Sequence, residues 1–203
     1  MRIQISNLSK SYGGTCVLSR LNLELDSRQP WCLMSPSGSG KTTLLRLLLG
    51  LEQPDEGEIL ILGDEDRPKA GQAKGIRPRF SAVFQEDRLC EAFSPVDNLL
   101  MAAGPGVGAR QVREELSLLL PEDCLEKPVS TFSGGMKRRT AICRAMIAPS
   151  KIVVMDEPFT GLDANTRERT IRYVLNRLDG RMLVAATHQM EEAKMLGGRI
   201  IHL

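Results

Sequence analysis

A run of small residues followed by a lysine and two threonines is the stretch of this sequence best suited to chemistry. From first to last it reads Ser35, Pro36, Ser37, Gly38, Ser39, Gly40, Lys41, Thr42 and Thr43. Small residues let the backbone curl so that its N–H groups point inward at an anion, and a helix that follows directs its positive N-terminal end at the same point. Lys41 adds a mobile cation, and the Thr42 hydroxyl is suited to bind Mg²⁺. The stretch therefore predicts a strand, a phosphate-binding loop and a helix that together hold a nucleotide.

Ser35 departs from the usual pattern, which has glycine at this position. The position lies at the end of the predicted strand, where glycine eases the turn but supplies no charge. A small serine is therefore expected to fit, and its hydroxyl is not expected to take part in phosphate chemistry. The alternative interpretation is a flexible Ser/Gly linker, but a linker would not run from an apolar strand directly into Lys-Thr-Thr and a leucine-rich helix.

Two adjacent carboxylates, Asp156 and Glu157, follow the apolar run at 151–155, which predicts a buried strand. Carboxylates at the end of a buried strand cost free energy unless a cation compensates them. Asp156 is suited to bind Mg²⁺, and Glu157 to polarise an attacking water. The alternative is a strand that simply ends in an acidic turn.

Three further features are less specific on their own. Tyr12 precedes a Gly-Gly turn and could stack on a flat ring, although a partly buried turn tyrosine has the same pattern. Ser133 is a good N-cap for a helix whose first N–H groups are exposed by a glycine pair; the basic residues at 137–139 are expected to form a solvated face of that helix. His188 follows a predicted strand at 182–186, where α/β proteins place ligands, but a structural histidine is equally compatible.

Length and composition favour one domain with one sizeable core, since the chain has 203 residues of which 42% are hydrophobic. The net charge of +2, with both signs spread along the chain, argues against a large nucleic-acid surface. No apolar run approaches the roughly 18 residues that a membrane span needs, so the chain is not expected to cross a membrane. The five cysteines show no C-x-x-C pairing, which favours reduced, buried thiols in the cytosol over disulfides or zinc.

Hydrophobic periodicity and turn residues place the elements along the chain. Strands are predicted at 3–8, 18–25, 58–62, 80–84, 151–155, 182–186 and 199–203. Helices are predicted after the phosphate loop, from Ser94-Pro95, at 110–120, after Ser133, at 164–178 and at 191–196. Residues 63–78 are predicted to form a loop. The section at 88–148 is helical where its flanks are rich in strands, so it is interpreted as an inserted helical lobe.

These motifs, in this order, closely resemble the ATPase subunit of an ABC transporter. The resemblance covers essentially the whole chain, and the Ser-Gly-Gly triplet before the Asp-Glu strand is its most specific part. It implies an α/β fold, a P-loop NTPase of the ABC ATPase type, in which a mixed-sheet core carries an antiparallel β subdomain and an inserted helical subdomain at roughly 88–148. It also implies a single domain at 1–203 without a C-terminal regulatory domain.

The resemblance also implies roles for individual residues. Tyr12 would stack on adenine, Glu157 would be the general base and His188 would contact the γ-phosphate. The expected metal ligands are Thr42, Gln85 and Asp156, and Gln85 would also touch the water. Two further sets concern the opposite protomer: Asp163 lies in a loop joining the protomers, and the signature that caps the partner's ATP comprises Ser133, Gly134, Gly135 and Met136. Phe132 and Met136 replace the leucine and glutamine usual at the two ends of that signature, which puts the turnover rate in question.

The expected function is ATP hydrolysis, with Mg²⁺, that drives solute transport by a partner permease at the cytoplasmic face of the membrane. Because no membrane segment is fused and the segment at 84–89 resembles that of importers, an importer of a small organic solute is expected; an exporter stays open. The expected partners are permease subunits, a second copy of the chain and, for an importer, a solute-binding protein, with no nucleic acid. The alternatives are an ABC-type ATPase of DNA or ribosomes, which would carry a coiled coil or a second ATPase unit, and a metabolic kinase, which would not need the signature.

The segment from Gln85 to Leu100 is expected to receive a cytoplasmic helix of the permease. It mixes the apolar residues Leu89, Phe93 and Val96, all expected to be exposed, with few features that would stabilise the segment on its own.

Overall fold

The structure is a computed structural model that describes residues 1–36, 38–62 and 80–203. The predicted phosphate-loop residue Ser37 and the predicted loop at 63–78 lie outside the described residues. The strands are β1 (Arg2–Tyr12), β2 (Thr15–Asp26), β3 (Trp31–Leu33), β4 (Glu56–Leu62), β5 (Phe80–Val83), β6 (Ile152–Asp156), β7 (Met182–Ala186) and β8 (Arg199–Ile201). The helices are α1 (Lys41–Leu48), α2 (Pro95–Leu100), α3 (Ala109–Ser117), α4 (Gly134–Ile147), α5 (Ala164–Arg177) and α6 (Met190–Met195). Short 3₁₀ turns lie at Glu122–Cys124 and Val129–Thr131.

Two sheets of different kinds make up the β structure. The first has three antiparallel strands in the order β2-β1-β4, and a tight turn at Gly13 and Gly14, both with positive φ, joins β1 to β2. The second has five strands in the order β5-β6-β7-β3-β8, and every pairing in it is parallel. Because parallel strands all end at the same edge of their sheet, the residues that follow β3, β5, β6 and β7 come together there.

The parallel sheet is covered on both faces, as its nearly continuous apolar strands require. Every residue of β6 and β7 is buried, and successive residues alternate between two hydrophobic clusters. On one face Val153, Met155 and Leu183 pack with residues of α3, α4 and α5. On the other face Val154 and Val184 pack with α1 and the antiparallel sheet. Helix α1 is thereby fixed between the two sheets.

Helices α2, α3 and α4 follow β5 and precede β6 in the chain. Helix α2 begins with a reciprocal capping box between Ser94 and Asp97. The buried amide of Asn98 donates to the Cys90 and Ser94 carbonyls and accepts the Cys90 N–H. The segment before α2 is therefore held by its own hydrogen bonds, and the expectation of few stabilising features was wrong. No helix formed by the described residues combines the length and hydropathy that crossing a membrane requires.

Three expectations about exposure were also wrong. Val96 is only 4% exposed, because it lies on the face of α2 that packs into the core, and Leu89 is half-buried against the same core. The basic residues at 137–139 do not form a solvated face: Lys137 and Arg139 are half-buried and Arg138 is buried, each bound to a neighbouring segment. Of the cysteines, all free, Cys16 and Cys90 are exposed, whereas the other three are buried.

Candidate functional site

The loop between β3 and α1 is shaped by glycines with a left-handed backbone. Gly38 and Gly40 have φ of 82° and 95°, and Gly40 directly precedes the first residue of α1. A Cβ at Gly40 would lie 2.8 Å from the Leu18 side chain, so a larger residue would face both backbone strain and a clash with the antiparallel sheet. The loop therefore curls against β2 and presents the N-terminal end of α1, as the sequence predicts.

Lys41 folds its side chain back over this loop. The side chain is buried, and its Nζ donates to the Ser35 carbonyl at 2.5 Å and to the Pro36 carbonyl at 3.0 Å. The Ser39 hydroxyl is buried and has no hydrogen-bond partner among the residues that the structure describes. An ammonium group and an unpaired hydroxyl at a helix N-terminus fit a bound phosphate chain.

Ser35 has a contact that the sequence did not predict. Its Oγ accepts the backbone N–H of Leu203 at 2.8 Å, and it also lies 3.2 Å from the Leu203 carbonyl. The hydroxyl therefore ties the start of the loop to the backbone beyond β8. Glycine, which the usual pattern has here, could not make this contact.

The three predicted metal ligands line one cavity of about 90 Å³: Thr42 at the start of α1, Asp156 at the end of β6 and Gln85 after β5. Burial raises the pKa of the Asp156 carboxyl, whereas a hydrogen bond with Thr42 and the charge of Lys41 oppose that rise. The described residues contain no group of three or more His, Cys, Asp or Glu side chains that could hold a metal ion. A hydroxyl, an amide and one carboxylate beside a phosphate site are the donors that suit Mg²⁺ rather than a softer metal.

Glu157 has an uncommon backbone conformation for a residue with a side chain, with φ of 47°. Its N–H donates to the Ala186 carbonyl at 2.9 Å, which fixes it to the end of β7. One carboxylate oxygen lies 3.4 Å from His188 Nδ1, and the other lies 3.4 Å from the Thr160 hydroxyl. The geometry thus brings together the predicted general base and the predicted γ-phosphate contact, although they are 31 residues apart in the sequence.

Glu192 completes this part of the site and was not predicted. It is only 2% exposed, it accepts a hydrogen bond from the Thr187 hydroxyl, and its other oxygen is unpaired within the described part of the chain. Burial raises its pKa, and the bond from Thr187 opposes the rise. The Thr187 hydroxyl in turn accepts the Gln189 N–H at 3.1 Å, and the Thr187 N–H binds the Leu33 carbonyl. The backbone on both sides of His188 is thereby held in place. The sequence signal that could have indicated Glu192 was an acidic residue four positions after the histidine.

Tyr12 lies at the end of β1, beside the phosphate loop. The ring is 45% exposed, and its hydroxyl donates to Glu52. This hydrogen bond raises the pKa of Tyr12, whereas a hydrogen bond with Thr43 opposes the rise. Tyr12 is thus an exposed residue close to the first turn of α1, and Lys10 Nζ lies 5.5 Å from the centre of its ring.

The signature residues start helix α4. The Ser133 hydroxyl is the N-cap and accepts the Met136 N–H at 3.3 Å. Gly134 is exposed, with open space where a Cβ would be, and Gly135 lies against Leu162. Met136 packs on the hydrophobic core. The Met136 N–H is thus capped within the chain, while the start of α4 at Ser133 and Gly134 is exposed to solvent.

Asp163 follows Leu162 and is the N-cap of α5, where its carboxylate accepts the Thr166 N–H at 3.0 Å. The hydrogen bonds from Thr166 lower the pKa of Asp163. Its predicted role between protomers is compatible with this capping, because the loop that carries it is exposed at Gly161 and Asp163.

Comparison with known proteins gives a consistent result. The sequence profile of the family described as ABC transporter matches residues 18–160. Proteins named Nod factor export ATP-binding protein I are 38% identical in Rhizobium etli and 37% in Sinorhizobium fredii; each comparison covers 98% of this chain, but 64% and 59% of the respective relatives. The chain thus spans about three fifths of the length of these two curated relatives.

Among solved structures, one is described as a dimeric structure of a post-hydrolysis state of the ATP-binding cassette MJ0796 bound to ADP and Pi. It matches with a TM-score of 0.83 and 27% identity, covering 99% of this chain and 94% of that one. A second dimeric structure of MJ0796 matches with a TM-score of 0.79 and 29% identity, with the same coverage. These matches confirm the predicted fold class, and the profile match over more than half of the chain shows that it belongs to the ABC transporter family.

Proposed function

We propose that the chain binds and hydrolyses ATP and that this hydrolysis energises transport by a partner permease. The observation that carries the proposal is the convergence at one edge of the parallel sheet. The start of α1 supplies Lys41, the end of β6 and the residue after it supply Asp156 and Glu157, and the turn after β7 supplies His188. Transfer of a phosphoryl group to water requires a loop that binds the phosphates, oxygen ligands for Mg²⁺ and a carboxylate that is oriented, here by an imidazole.

The roles follow from these positions. Loop N–H groups and Lys41 would hold the β- and γ-phosphates, and Thr42, Asp156 and Gln85 would hold Mg²⁺. When bound, Mg²⁺ neutralises phosphate charge. Glu157 would orient a water and accept its proton as the water oxygen bonds to the γ-phosphorus and the bond to the bridging oxygen breaks, leaving ADP and phosphate. His188 would contact the γ-phosphate, and the backbone held by Glu192 would keep His188 in position.

A second copy of the chain is the proposed partner at the nucleotide. The open N-terminal end of α4 is suited to an anion, yet the chain already has one phosphate loop of its own. Two-fold exchange, in which the signature of each chain caps the ATP held by its twin, uses both features. The dimeric cassettes among the matching structures support this arrangement.

The remaining partner is a permease, which would hold the chain at the cytoplasmic face of a membrane. The importer expectation is not confirmed, and the names of the two relatives given above favour the other direction, because both are export ATP-binding proteins. We therefore propose export. The docking surface would be the segment from Gln85 to Leu100, where Phe93 is 51% exposed.

Replacement of Lys41 by alanine tests nucleotide binding. We expect ATP affinity to fall at least ~10-fold and hydrolysis to be lost, because the loop then has no cation for the phosphates. Calorimetric titration and phosphate release are the measurements. Lys127→Ala is the control, since this lysine is exposed and pairs with Asp123 instead. Unchanged affinity and turnover in Lys41→Ala would end the phosphate-loop assignment.

A further inference from the structure

Two arginines of helix α4 hold the backbone of the Gln85 segment. Arg138 donates from Nη1 to the Phe84 carbonyl at 2.7 Å and from Nη2 to the Gln85 carbonyl at 2.5 Å. Arg144, six residues further along the helix, donates to the Asp87 carbonyl at 2.9 Å and to the Arg88 carbonyl at 2.7 Å. Four carbonyls of one short loop are thus bound by two guanidinium groups from one helix.

The chemistry of these contacts requires arginine. A guanidinium is planar and directs several N–H donors in fixed directions, so it can bind two successive carbonyls at once, whereas an ammonium is a single point. Arg138 is buried, and its charge is compensated by the Asp87 carboxylate 3.1 Å from its Nε. The carbonyls of Phe84, Gln85 and Asp87 are part-buried, so loss of these donors would leave them less well hydrogen-bonded, which is costly. The loop therefore depends on the helix for its conformation.

The contact matters for function because the same helix carries the signature at its N-terminal end. Helix α4 begins immediately after Ser133, and Arg138 lies little more than one turn from that end. Lys137 extends the contact by donating to Glu91 at 2.7 Å, further along the same segment. One rigid helix therefore carries the signature at its start and fixes Gln85 through its first two turns.

We propose that Arg138 and Arg144 are positioning residues that set the place of Gln85 at the nucleotide site through its backbone, and that they tie that place to the helix that bears the signature. This inference rests on the proposed function, because it concerns the same ATP site. Gln85 would line the nucleotide site of its own chain, whereas the signature would face the nucleotide held by the partner. The consequence of the proposal is that these two parts of one chain move together as one rigid body.

Replacement of Arg138 by methionine, which keeps a long apolar stem, tests the proposal. We expect kcat to fall on the order of tenfold, because small misplacements of a site residue are costly, while KM for ATP stays within about threefold. In a Gln85→Ala background the same replacement should lower kcat by less than about twofold, since two residues that act through one contact are not additive. Amide hydrogen exchange over 84–91 should become faster in Arg138→Met.

Arg181→Met is the matched control. Like Arg138, Arg181 donates to two backbone carbonyls, those of Leu178 and Arg177. It is half-buried where Arg138 is buried, and it lies before β7, at the opposite edge of the sheet from Gln85. Its variant should leave kcat and exchange over 84–91 as in the unmodified protein. If Arg138→Met does not fold, Arg138→Lys keeps the charge and the stem, and it should show a smaller loss of kcat with the same non-additivity.

The outcomes separate the two proposals. Absence of ATP hydrolysis in the unmodified protein would overturn the proposed function itself. Normal hydrolysis with equal kcat in the Arg138 and Arg181 variants would overturn only the positioning role. A loss of kcat in Arg138→Met that is just as large when Gln85 is already alanine would also overturn it, because Arg138 would then act by another route.

Discussion

Glu157, the proposed general base, is held by its neighbours in an uncommon backbone conformation. Its left-handed backbone costs on the order of 1 kcal/mol for a residue with a side chain. The N–H bond to the Ala186 carbonyl compensates by fixing that conformation, and the turn leaves the carboxylate beside His188. Strain of this kind is concentrated at functional sites, where the surrounding structure stabilises it.

Ser35 gives a prediction at this scale that separates stability from binding. Ser35→Gly and Ser35→Ala both remove the hydrogen bond from Leu203, so each should lower the free energy of unfolding by about 1 kcal/mol. ATP affinity should stay within about threefold, because the hydroxyl binds the backbone beyond β8 and not the phosphate side of the loop. Urea unfolding and calorimetric titration are the measurements. A severe loss of ATP binding in both variants would show that the hydroxyl acts on the nucleotide.

Residue chemistry and spacing predicted which residues lie together at this edge of the sheet, but not the contacts that support them. Lys41 was predicted from the phosphate-loop motif, and Asp156, Glu157 and His188 were predicted because each follows a predicted strand; the structure brings these strand ends together. Glu192 was missed because a single acidic residue in a short helix has no distinctive pattern; only the fold shows that it is buried against Thr187. The Leu203 contact of Ser35 was equally invisible, since it joins residues 168 positions apart.

At the scale of elements, the strands and helices were predicted to within a few residues, but not their order in the sheets. The alternation in β1 and β2 and the continuous apolar runs of β6 and β7 are strong local signals. That β3 lies between β7 and β8 depends on how the layers pack, which no local pattern encodes. For the same reason Val96 and Arg138 were expected to be exposed: both sit in sequences typical of surface helices, and tertiary packing decided their burial.

The exposed part of the segment from Gln85 to Leu100 gives the prediction at this scale. Cys16 and Cys90 are exposed while the other three cysteines are buried, so Cys16→Ser and Cys90→Ser each leave one accessible thiol. A photoreactive maleimide on Cys90 should cross-link to the permease, because Cys90 lies three residues before the exposed Phe93. The same reagent attached to Cys16, which lies on strand β2, is the control and should give no cross-link to the permease. Efficient cross-linking from Cys16 with none from Cys90 would place the permease on another face.

At the scale of the whole molecule, the proposed dimer assigns the N-terminal ends of α1 and α4 to different nucleotides. Helix α1 is enclosed between the antiparallel and the parallel sheet, and its N-terminal end serves the chain's own phosphate loop. Helix α4 packs on the other face of the parallel sheet, and its N-terminal end is open. The arginines of α4 join this second layer to the loop after β5, beside the proposed nucleotide site.

Light scattering of Glu157→Gln with and without Mg-ATP tests most directly the central claim, that two copies of this chain enclose ATP and hydrolyse it with Glu157. Glutamine keeps the shape of the side chain but cannot accept the proton, so bound ATP should persist and the variant should form a dimer only when Mg-ATP is present. Adding Ser133→Arg should block that dimer, because a bulky cationic side chain would then stand at the N-terminal end of α4. Adding Lys41→Ala should also block it, because the protein would no longer bind the nucleotide. A Glu157→Gln protein that binds ATP yet stays monomeric at high concentration, even when the permease is supplied, would contradict the account.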